Sequence, residues 1–260
     1  MVKKLLKHEL YALFRVLVFF AIAVVVFGAL GRIALEVQLR RSGETAFGSG
    51  IAWILVMFYV FAIGAFVLAA YALGISRFYK TLFTGEGYMT LSLPVTPMQL
   101  ILAKLLSSLI AIAFSTVVSA LTASLFFVGW GYEVWETIVS VFRFYSDLIT
   151  YVNGPFFWVE FAIAMVLSLP MWLLIVYSII CVGQMVTSHR KAATFGIFIG
   201  LWIAWNFLDN VLLSPMMSRL AVEVSPHLSM WITIVFYAAV DVGCFLLIRY
   251  ILRNKVNLIA

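Results

Sequence analysis

Few residues of this 260-residue chain have types and spacings that could support catalysis. Nucleotide binding by a phosphate loop requires GxxxxGK[ST], and metal or nucleophile chemistry uses patterns such as HExxH and GxSxG. The sequence has none of these patterns, and its two cysteines, Cys181 and Cys244, lie apart in apolar segments. His8, His189 and His227 are isolated in loops or flanks, which favours solvated surface residues over ligands. The chain itself is therefore expected to hold no cofactor and to catalyse no reaction.

Polar residues inside the apolar segments are a second group of candidates. A charged side chain at the centre of a bilayer costs at least about 2.5–3.5 kcal/mol on insertion scales, so it usually faces a partner or a cavity. Asp241 is the clearest case, because it lies about midway along the last apolar segment. It could line a substrate path or pair with a cation, or it could be protonated and hydrogen-bonded between helices. Glu160, Asp209 and Asn206 lie nearer the ends of their segments and are weaker candidates for an intramembrane polar site.

The stretch that is most unusual for its position is the connection Arg77–Leu100, which reads RFYKTLFTGEGYMTLSLPVTPMQL. It combines aromatic residues, glycines and an acidic residue where a turn between two apolar segments needs only a few polar residues. Thr96 and Pro97 have the types expected for an N-cap and a first-turn proline of the next helix. The exposed aromatic and acidic residues are typical of a protein-docking surface, and an interfacial aromatic belt would explain the aromatic ones equally well.

The elements that position these residues follow from composition. Hydrophobic residues make up 65% of the chain and charged residues 11%, with a mean hydropathy of +1.13. Soluble domains have roughly 45–50% apolar and about 25% charged residues, so the excess apolar surface must face lipid. Only helices and closed barrels satisfy their backbone groups there. Leu17–Leu30 and Ala52–Leu73 are apolar on every face, unlike alternating barrel strands. The sequence therefore predicts an all-α polytopic membrane protein.

Six apolar segments are long enough to cross a hydrocarbon core of roughly 30 Å. Their predicted limits are 13–36, 52–76, 99–129, 157–186, 194–213 and 229–252. Residues 13–260 are thus expected to form one six-helix transmembrane domain, with a kink at Pro170 in the fourth span. Residues 1–12 place leucines on one side and lysines with His8 on the other, which favours an amphipathic interfacial helix over a simple basic flank.

The distribution of Lys and Arg sets the expected orientation. With the N-terminus inside, most of the 17 basic residues fall in cytoplasmic positions, which places both termini in the cytoplasm. The external connection 130–156 has enough periodicity for a helix along the outer surface. The formal net charge of +6 is spread singly between apolar segments rather than gathered on one domain, and this argues against nucleic-acid binding.

Two short motifs follow the second span: GEGYMTLSLPVTP at residues 85–97 and LAKL at residues 102–105. Together with the arginine–aromatic exit from that span, they resemble the permease subunits of type 2 ABC exporters of Gram-positive bacteria. The resemblance covers the whole chain in topology and about residues 77–108 in motif. In that family the cytoplasmic segment between the second and third spans carries a coupling helix, which sits in a cleft of a separate ATP-binding subunit.

The resemblance implies that residues 77–97, here named the docking segment, contact an ATPase, and that Glu86 is the acidic residue most suited to meet a basic partner. The docking residues implied in this way are Arg77, Phe78, Tyr79, Lys80, Phe83, Gly85, Glu86, Gly87, Tyr88 and Met89. The short connection 187–192 would give a minor second contact.

The function implied by the resemblance is that of a permease in an ATP-driven exporter of the cytoplasmic membrane. Two copies, or one copy and a homologous partner, would assemble with two ABC ATPase subunits, which would bind ATP and Mg²⁺. The expected substrate is an amphipathic peptide, lipid or drug, with antimicrobial peptide transport as the first expectation. Two other classes stay open. One is a lipid-modifying enzyme that uses Asp241 and Asp209 as acid or metal groups, and the other is a non-transporting peptide-binding immunity or scaffold protein.

Overall fold

A computed structural model describes most of the chain. The residues that it describes are 2–40, 46–84, 96–127, 136, 139–140, 142–147, 149–150, 154–186, 190–223 and 225–254. Within these ranges all regular secondary structure is helical, which confirms the all-α class predicted from composition.

The long elements follow one another as α-helices with one π-helical insertion. They are α1 (Val2–Arg40), α2 (Ala46–Phe83), α3 (Pro97–Phe127), α4 (Phe156–Gly183), α5 (Arg190–Leu208), the π-helical segment Asp209–Leu213, α6 (Ser214–Glu223) and α7 (Pro226–Asn254). Residues 142–147, in the connection where an outer-surface helix is predicted, are also helical.

Six helices in the described part of the chain are long and apolar enough to cross a membrane, which confirms the six predicted spans. Their apolar cores are Leu5–Val37, Trp53–Phe83, Pro97–Ser124, Phe156–Gly183, Ala192–Met216 and Pro226–Asn254. A helix satisfies its own backbone hydrogen bonds, so these segments can enter lipid without exposing unpaired polar groups. The chain is a multi-pass membrane protein.

The first helix is continuous through residue 12, so the predicted interfacial segment and the first span form a single helix. Lys3 and Lys7 are exposed whereas Leu13 is buried, as expected for an amphipathic start. The position of residues 1–12 at a membrane surface stays a prediction.

The second helix is longer than predicted. It ends at Phe83 rather than at residue 76, so the first part of the docking segment is helical. Arg77 and Lys80 end the apolar run without ending the helix, because both residue types are good helix formers. The Thr81 hydroxyl donates a hydrogen bond of 2.6 Å to the Arg77 carbonyl within this extension.

The chain divides into two compact units. The first comprises Met1–Ser76 and Leu106–Ser140, and it holds α1 with most of α2 and α3. The second comprises Arg77–Leu105 and Val141–Ala260, and it holds α4 to α7. The described ends of the docking segment therefore belong to the same unit as α4, α5 and α7.

In the first unit, α2 and α3 run antiparallel. The rings of Phe66 and Phe114 are 6.3 Å apart between centroids, while Gly74, further along α2, lies against Ser108, earlier in α3. A Cβ at Gly74 would lie 2.6 Å from the Ser108 hydroxyl oxygen, so this glycine permits the close approach of the two helices.

In the second unit, α4 and α7 make the most extensive helix–helix contact and run parallel. Glu160 meets His227 and Ser178 meets Cys244, pairs that are 67 and 66 positions apart in sequence. A constant offset over about five turns requires two helices that point the same way, as the fourth and sixth spans must if the chain crosses the membrane at each span.

The helix between them in sequence, α5, runs antiparallel to α4. Trp172 and Trp205 have ring centroids 6.2 Å apart, and Gly183, at the end of α4, lies against Thr194, near the start of α5. A Cβ built on Gly183 would lie 2.8 Å from the Thr194 Cα, so the crossing depends on the missing side chain.

Candidate functional site

The last two turns of α2 have one face that is fully packed. Phe78 and Leu82 are completely buried and Thr81 is 6% exposed, three positions that recur at helical spacing. The Thr84 hydroxyl donates to the Lys80 carbonyl and so extends the hydrogen bonding at the helix end. Helix α2 therefore continues beyond the predicted end of its apolar span, and residues 77–83 form a half-buried helical extension.

An aromatic stack holds this extension against α4. The rings of Phe78 and Tyr177 are 3.9 Å apart between centroids and 4° from parallel, and neither residue is exposed. Stacked aromatic pairs contribute about 0.5–1.5 kcal/mol beyond the burial of their area. Phe83 closes the cluster, with its ring centroid 6.3 Å from that of Phe78. Tyr177 is a contact that the sequence did not reveal, because it lies in a different span.

The opposite face of the same turns is open. Lys80 is exposed, and Arg77 and Tyr79 are partly exposed. The ring of Tyr79 is 6.4 Å from that of Phe83, so it lies along the edge of the aromatic cluster rather than inside it. These side chains present two cations and a phenol on the open face of the helix end.

The far end of the docking segment is fixed by a capping box at the start of α3. The Gln99 backbone N–H lies 3.4 Å from the Thr96 hydroxyl, and the Thr96 backbone N–H lies 3.3 Å from the Gln99 side-chain oxygen. This confirms the predicted cap at Thr96 and adds Gln99, which was not singled out from the sequence. In the next turn Leu100 and Ile101 are buried.

Lys104, in the LAKL motif, is 2% exposed. A lysine is almost never fully buried unless it is paired, so this residue is part of the packed interior of the second unit. Gly85, Glu86, Gly87, Tyr88 and Met89, which complete the predicted docking residues, lie outside the described residues.

Several helix ends meet at one end of the second unit. Because α4 and α7 are parallel, their C-terminal ends lie together, and the Phe78–Tyr177 stack brings the end of α2 to the same level. The start of α5 joins them through its contact with the last residue of α4. The basic residues that α2 and α7 carry near this end are Arg77, Lys80, Arg249 and Arg253.

At the other end of the α4–α7 pair, the Glu160 carboxylate and the His227 imidazole are joined by a hydrogen bond. The Nδ1 atom of His227 is 2.8 Å from the Glu160 carboxylate, whose side chain is 11% exposed against 40% for the histidine. The ring of Phe157 lies 6.5 Å from the imidazole. The interpretation of His227 as an isolated residue is therefore wrong, although its side chain is partly exposed to solvent as that interpretation expected. Its partner is 67 positions away, so no local pattern could reveal it.

The other predicted polar residues are not brought together. Asn206 is exposed and its amide donates a 2.8 Å hydrogen bond to the Trp202 carbonyl of its own helix. Asp209 begins the π-helical segment and is also exposed. Among the described residues, none of Asp241, Asp209, Glu160 and Asn206 forms a hydrogen bond or ion pair with another of the four.

Asp241 has one side-chain oxygen that the described residues leave without a hydrogen bond. Its residue surface is partly exposed, but its Oδ1 atom is shielded from solvent and has no hydrogen-bond partner among the described residues. The described side chains also contain no group of three or more His, Cys, Asp or Glu residues that could hold a metal ion. Cys181 and Cys244 are free cysteines.

Comparison of the chain with protein-family models, with curated proteins and with solved structures finds no match.

Proposed function

We propose that this chain is the permease subunit of a type 2 ABC exporter in the cytoplasmic membrane, with both termini in the cytoplasm. Two permease chains and two ATPase subunits form the working assembly, and ATP with Mg²⁺ binds to the ATPases. The proposal rests on the resemblance of residues 77–108 to that family and on the way the described ends of the docking segment are mounted.

The single observation that carries the proposal is the attachment of the docking segment to α4. A coupling element must transmit displacement to the membrane helices, and it can do so only if it is packed rigidly against them. The fully buried stack of Phe78 on Tyr177 supplies that attachment on the α2 side. On the α3 side, the capping box of Thr96 and Gln99 fixes the residue at which the helix begins.

The charge at this end of the second unit supports the cytoplasmic orientation. Lys80, Arg249 and Arg253 are exposed there, and cytoplasmic ends of membrane helices carry an excess of such residues. An ATPase that approaches from the cytoplasm would reach the open face of α2, where Arg77 and Tyr79 are partly exposed.

The proposed movement follows from differential binding. Nucleotide can shift the permease between two states only if the ATPases bind the docking segment differently in each. ATP-driven closure of the ATPases would displace the end of α2, and the Phe78–Tyr177 contact would pass this displacement to α4 and to the helices that pack on it.

An amphipathic substrate such as a peptide, lipid or drug suits the apolar surface of the first unit. An open apolar groove lies along the first half of α2 and is lined by Trp53, Ile54, Met57, Phe58, Val60 and Phe61. These side chains offer large, adaptable apolar contacts and almost no hydrogen-bonding groups, which suits a hydrophobic ligand better than a sugar. Antimicrobial peptide transport fits this surface and the family resemblance.

The test is affinity purification of the tagged chain from its native membranes, followed by mass spectrometry of the retained subunits. The proposal predicts that a soluble subunit with a Walker A motif is retained and that the purified complex hydrolyses ATP. A double variant, Glu86→Ala with Tyr88→Ala, should reduce retention of the ATPase at least tenfold.

Arg253→Ala is the matched control, because Arg253 is exposed near the same end but lies on α7 rather than in the docking segment. It should leave retention unchanged. A purified chain that retains no ATPase, or that hydrolyses lipid by itself, would reject the permease proposal.

A further inference from the structure

Helix α1 has one face that packs against the rest of its unit and an opposite face that is exposed. The buried positions recur at helical spacing and are at most 7% exposed, and they include Leu13, Leu17, Val24 and Leu35. The positions on the opposite side are all exposed, and they are His8, Tyr11, Arg15, Val18, Ile22 and Val26. Because the chain is a multi-pass membrane protein, this exposed face of α1 can contact lipid.

The exposed face of α1 changes in character after Arg15. Up to that residue it is basic and aromatic, and Lys7 is exposed along its edge. Beyond it the exposed side chains are apolar, with Val18 and Ile22 45% and 55% exposed. Basic and aromatic residues are enriched at membrane–water interfaces, whereas apolar residues face acyl chains. The face therefore has the same order of parts as a phospholipid, a polar head followed by apolar chains.

Arg15 is a cation within an apolar segment. It lies ten residues after the start of the apolar core Leu5–Val37 and is exposed. Its guanidinium carbon is 5.1 Å from the centre of the Tyr11 ring, one turn closer to the start of the helix. Long basic side chains in a membrane extend in this way toward the polar boundary. The ring holds the guanidinium in place but leaves its charge without a counter-ion.

Acidic side chains that could neutralise Arg15 are few in the described helices of this unit. Helix α1 has only Glu9 and Glu36, and there is none along Ala46–Phe83 or Pro97–Phe127. Glu9 is 8% exposed and so does not lie on the exposed face. Glu36 is 21 residues away, which is about 30 Å along the helix. The described residues therefore supply no negative charge where Arg15 is exposed.

We propose that the exposed face of α1 binds an anionic phospholipid. The phosphate lies against Arg15, Tyr11 and Lys7, and the acyl chains follow Val18 and Ile22. A guanidinium matches the geometry of a phosphate, the phenol donates a hydrogen bond, and the ammonium adds a second positive charge. A phosphatidylglycerol-type headgroup is preferred over phosphatidylcholine, because the exposed face offers no carboxylate to pair with a choline cation.

The apolar run that follows the cation is what distinguishes a lipid from a soluble anion. A free phosphate would use only the basic end, whereas a phospholipid also covers the exposed side chains of Val18, Ile22 and Val26. The proposal depends on the membrane location of α1 and not on an ATPase partner or on the side of the membrane at which α1 begins. It would stand if the proposed function failed.

The test is native mass spectrometry of the purified chain in detergent, which counts retained lipid molecules. Phosphatidylglycerol and phosphatidylcholine with identical acyl chains are titrated separately. The first phosphatidylglycerol should bind at least about fivefold more tightly than the first phosphatidylcholine. Arg15→Gln should weaken phosphatidylglycerol binding about fivefold and leave phosphatidylcholine binding within about twofold, since each basic residue near an anionic headgroup contributes on this scale.

Two further variants separate loss of charge from loss of fold. Arg15→Lys keeps the positive charge and should restore most of the phosphatidylglycerol affinity. Arg219→Gln is the matched control, because Arg219 is an exposed arginine on α6, and it should leave the preference unchanged.

A second readout locates the bound lipid. Phosphatidylglycerol with a photoreactive acyl chain is bound to the chain, and the adducts are mapped by peptide mass spectrometry. Adducts should concentrate in residues 16–26 of α1 over Trp53–Phe61 of α2, which is also apolar and exposed. Arg15→Gln should lower the α1 adducts several-fold and leave the α2 adducts unchanged.

Three results would overturn the proposal. They are equal affinity for the two lipids, a preference that Arg15→Gln leaves unchanged, and adducts spread equally over α1 and α2. Loss of the preference on addition of glycerol 3-phosphate would show that the basic end binds a soluble phosphate instead of a lipid, and it would also overturn the proposal.

Discussion

Helices α4 and α5 are both apolar enough to cross a membrane, yet they differ in how much of their surface the rest of the chain covers. α4 buries residues along its whole length, including the polar Glu160 and Ser178. No described side chain of α5 is buried, and its contacts with α4 are made through Thr194 and Trp205. Hydropathy reports that a helix has apolar surroundings, but it does not report whether lipid or protein supplies them.

Polar residues distinguish a helix surface that packs on protein from one that can face lipid better than apolar residues do. On α4, Glu160 bonds to His227 of α7, whereas Ser178 donates a hydrogen bond to the Ile175 carbonyl of its own helix and lies 3.8 Å from the Cys244 sulfur of α7. On α5 and the segment that follows it, Asn206 and Asn210 bond to carbonyls of their own helix. A span whose polar groups point to a neighbour is held by that neighbour, whereas a span whose polar groups bond internally can face lipid or a second chain.

The largest expected difference concerns the aromatic contact that α4 makes with the end of α2. Phe78→Ala removes a fully buried ring from the stack on Tyr177 and should lower the free energy of unfolding by about 3–5 kcal/mol. Phe207→Ala removes the same side chain from α5, where Phe207 is 66% exposed, and should change it by less than about 0.5 kcal/mol. Denaturant unfolding in detergent would measure both, and equal effects would contradict the proposed attachment of the docking segment.

A smaller difference is expected for glycines. Gly183→Ala places a methyl group 2.8 Å from the Thr194 Cα, which is backbone and cannot rotate away, so a loss of about 1–3 kcal/mol is expected. Gly196→Ala, on the open side of α5, meets no atom within 4 Å and should be neutral or slightly stabilising. The melting temperatures of the two variants, measured side by side, would show whether only Gly183→Ala lowers stability. A neutral Gly183→Ala would show that α4 and α5 are not in close contact.

The smallest expected effect is the coupling between Glu160 and His227. A double-mutant cycle with Glu160→Gln and His227→Gln should give a coupling energy below about 1 kcal/mol, because the histidine is 40% exposed and solvent screens the pair. The corresponding cycle with Glu160→Gln and Asp209→Asn should give none, since Asp209 is exposed and forms no hydrogen bond with Glu160 among the described residues. A coupling of zero would mean that the contact between Glu160 and His227 does not hold the start of α4 against the start of α7.

The membrane architecture could be predicted from the sequence because it depends on composition and run length. Six long apolar segments required six helices, and each was found within a few residues of its predicted position except at the start of the first span and at the end of α2. The cap at Thr96 was also predictable, since it depends on residues that are neighbours in sequence. Such features follow from local chemistry, which a single sequence contains in full.

The contacts that define the candidate site could not be predicted in the same way. Tyr177 is an ordinary aromatic residue within a uniformly apolar span, and only the packed helices reveal that it stacks on Phe78. His227 was separated from Glu160 by two intervening helices in the sequence. In spans that are apolar on all sides, the usual amphipathic pattern is too weak to say which face meets which neighbour.

The most direct test of the central proposal is site-specific photo-crosslinking in intact cells. A photoreactive amino acid would replace Lys80, which is exposed on the docking segment, and in a second strain Phe61, which is 74% exposed in the apolar part of the same helix. The permease proposal predicts that position 80 crosslinks to a soluble subunit with a Walker A motif and that position 61 does not. Absence of such a product at position 80, or the same product at both positions, would contradict it.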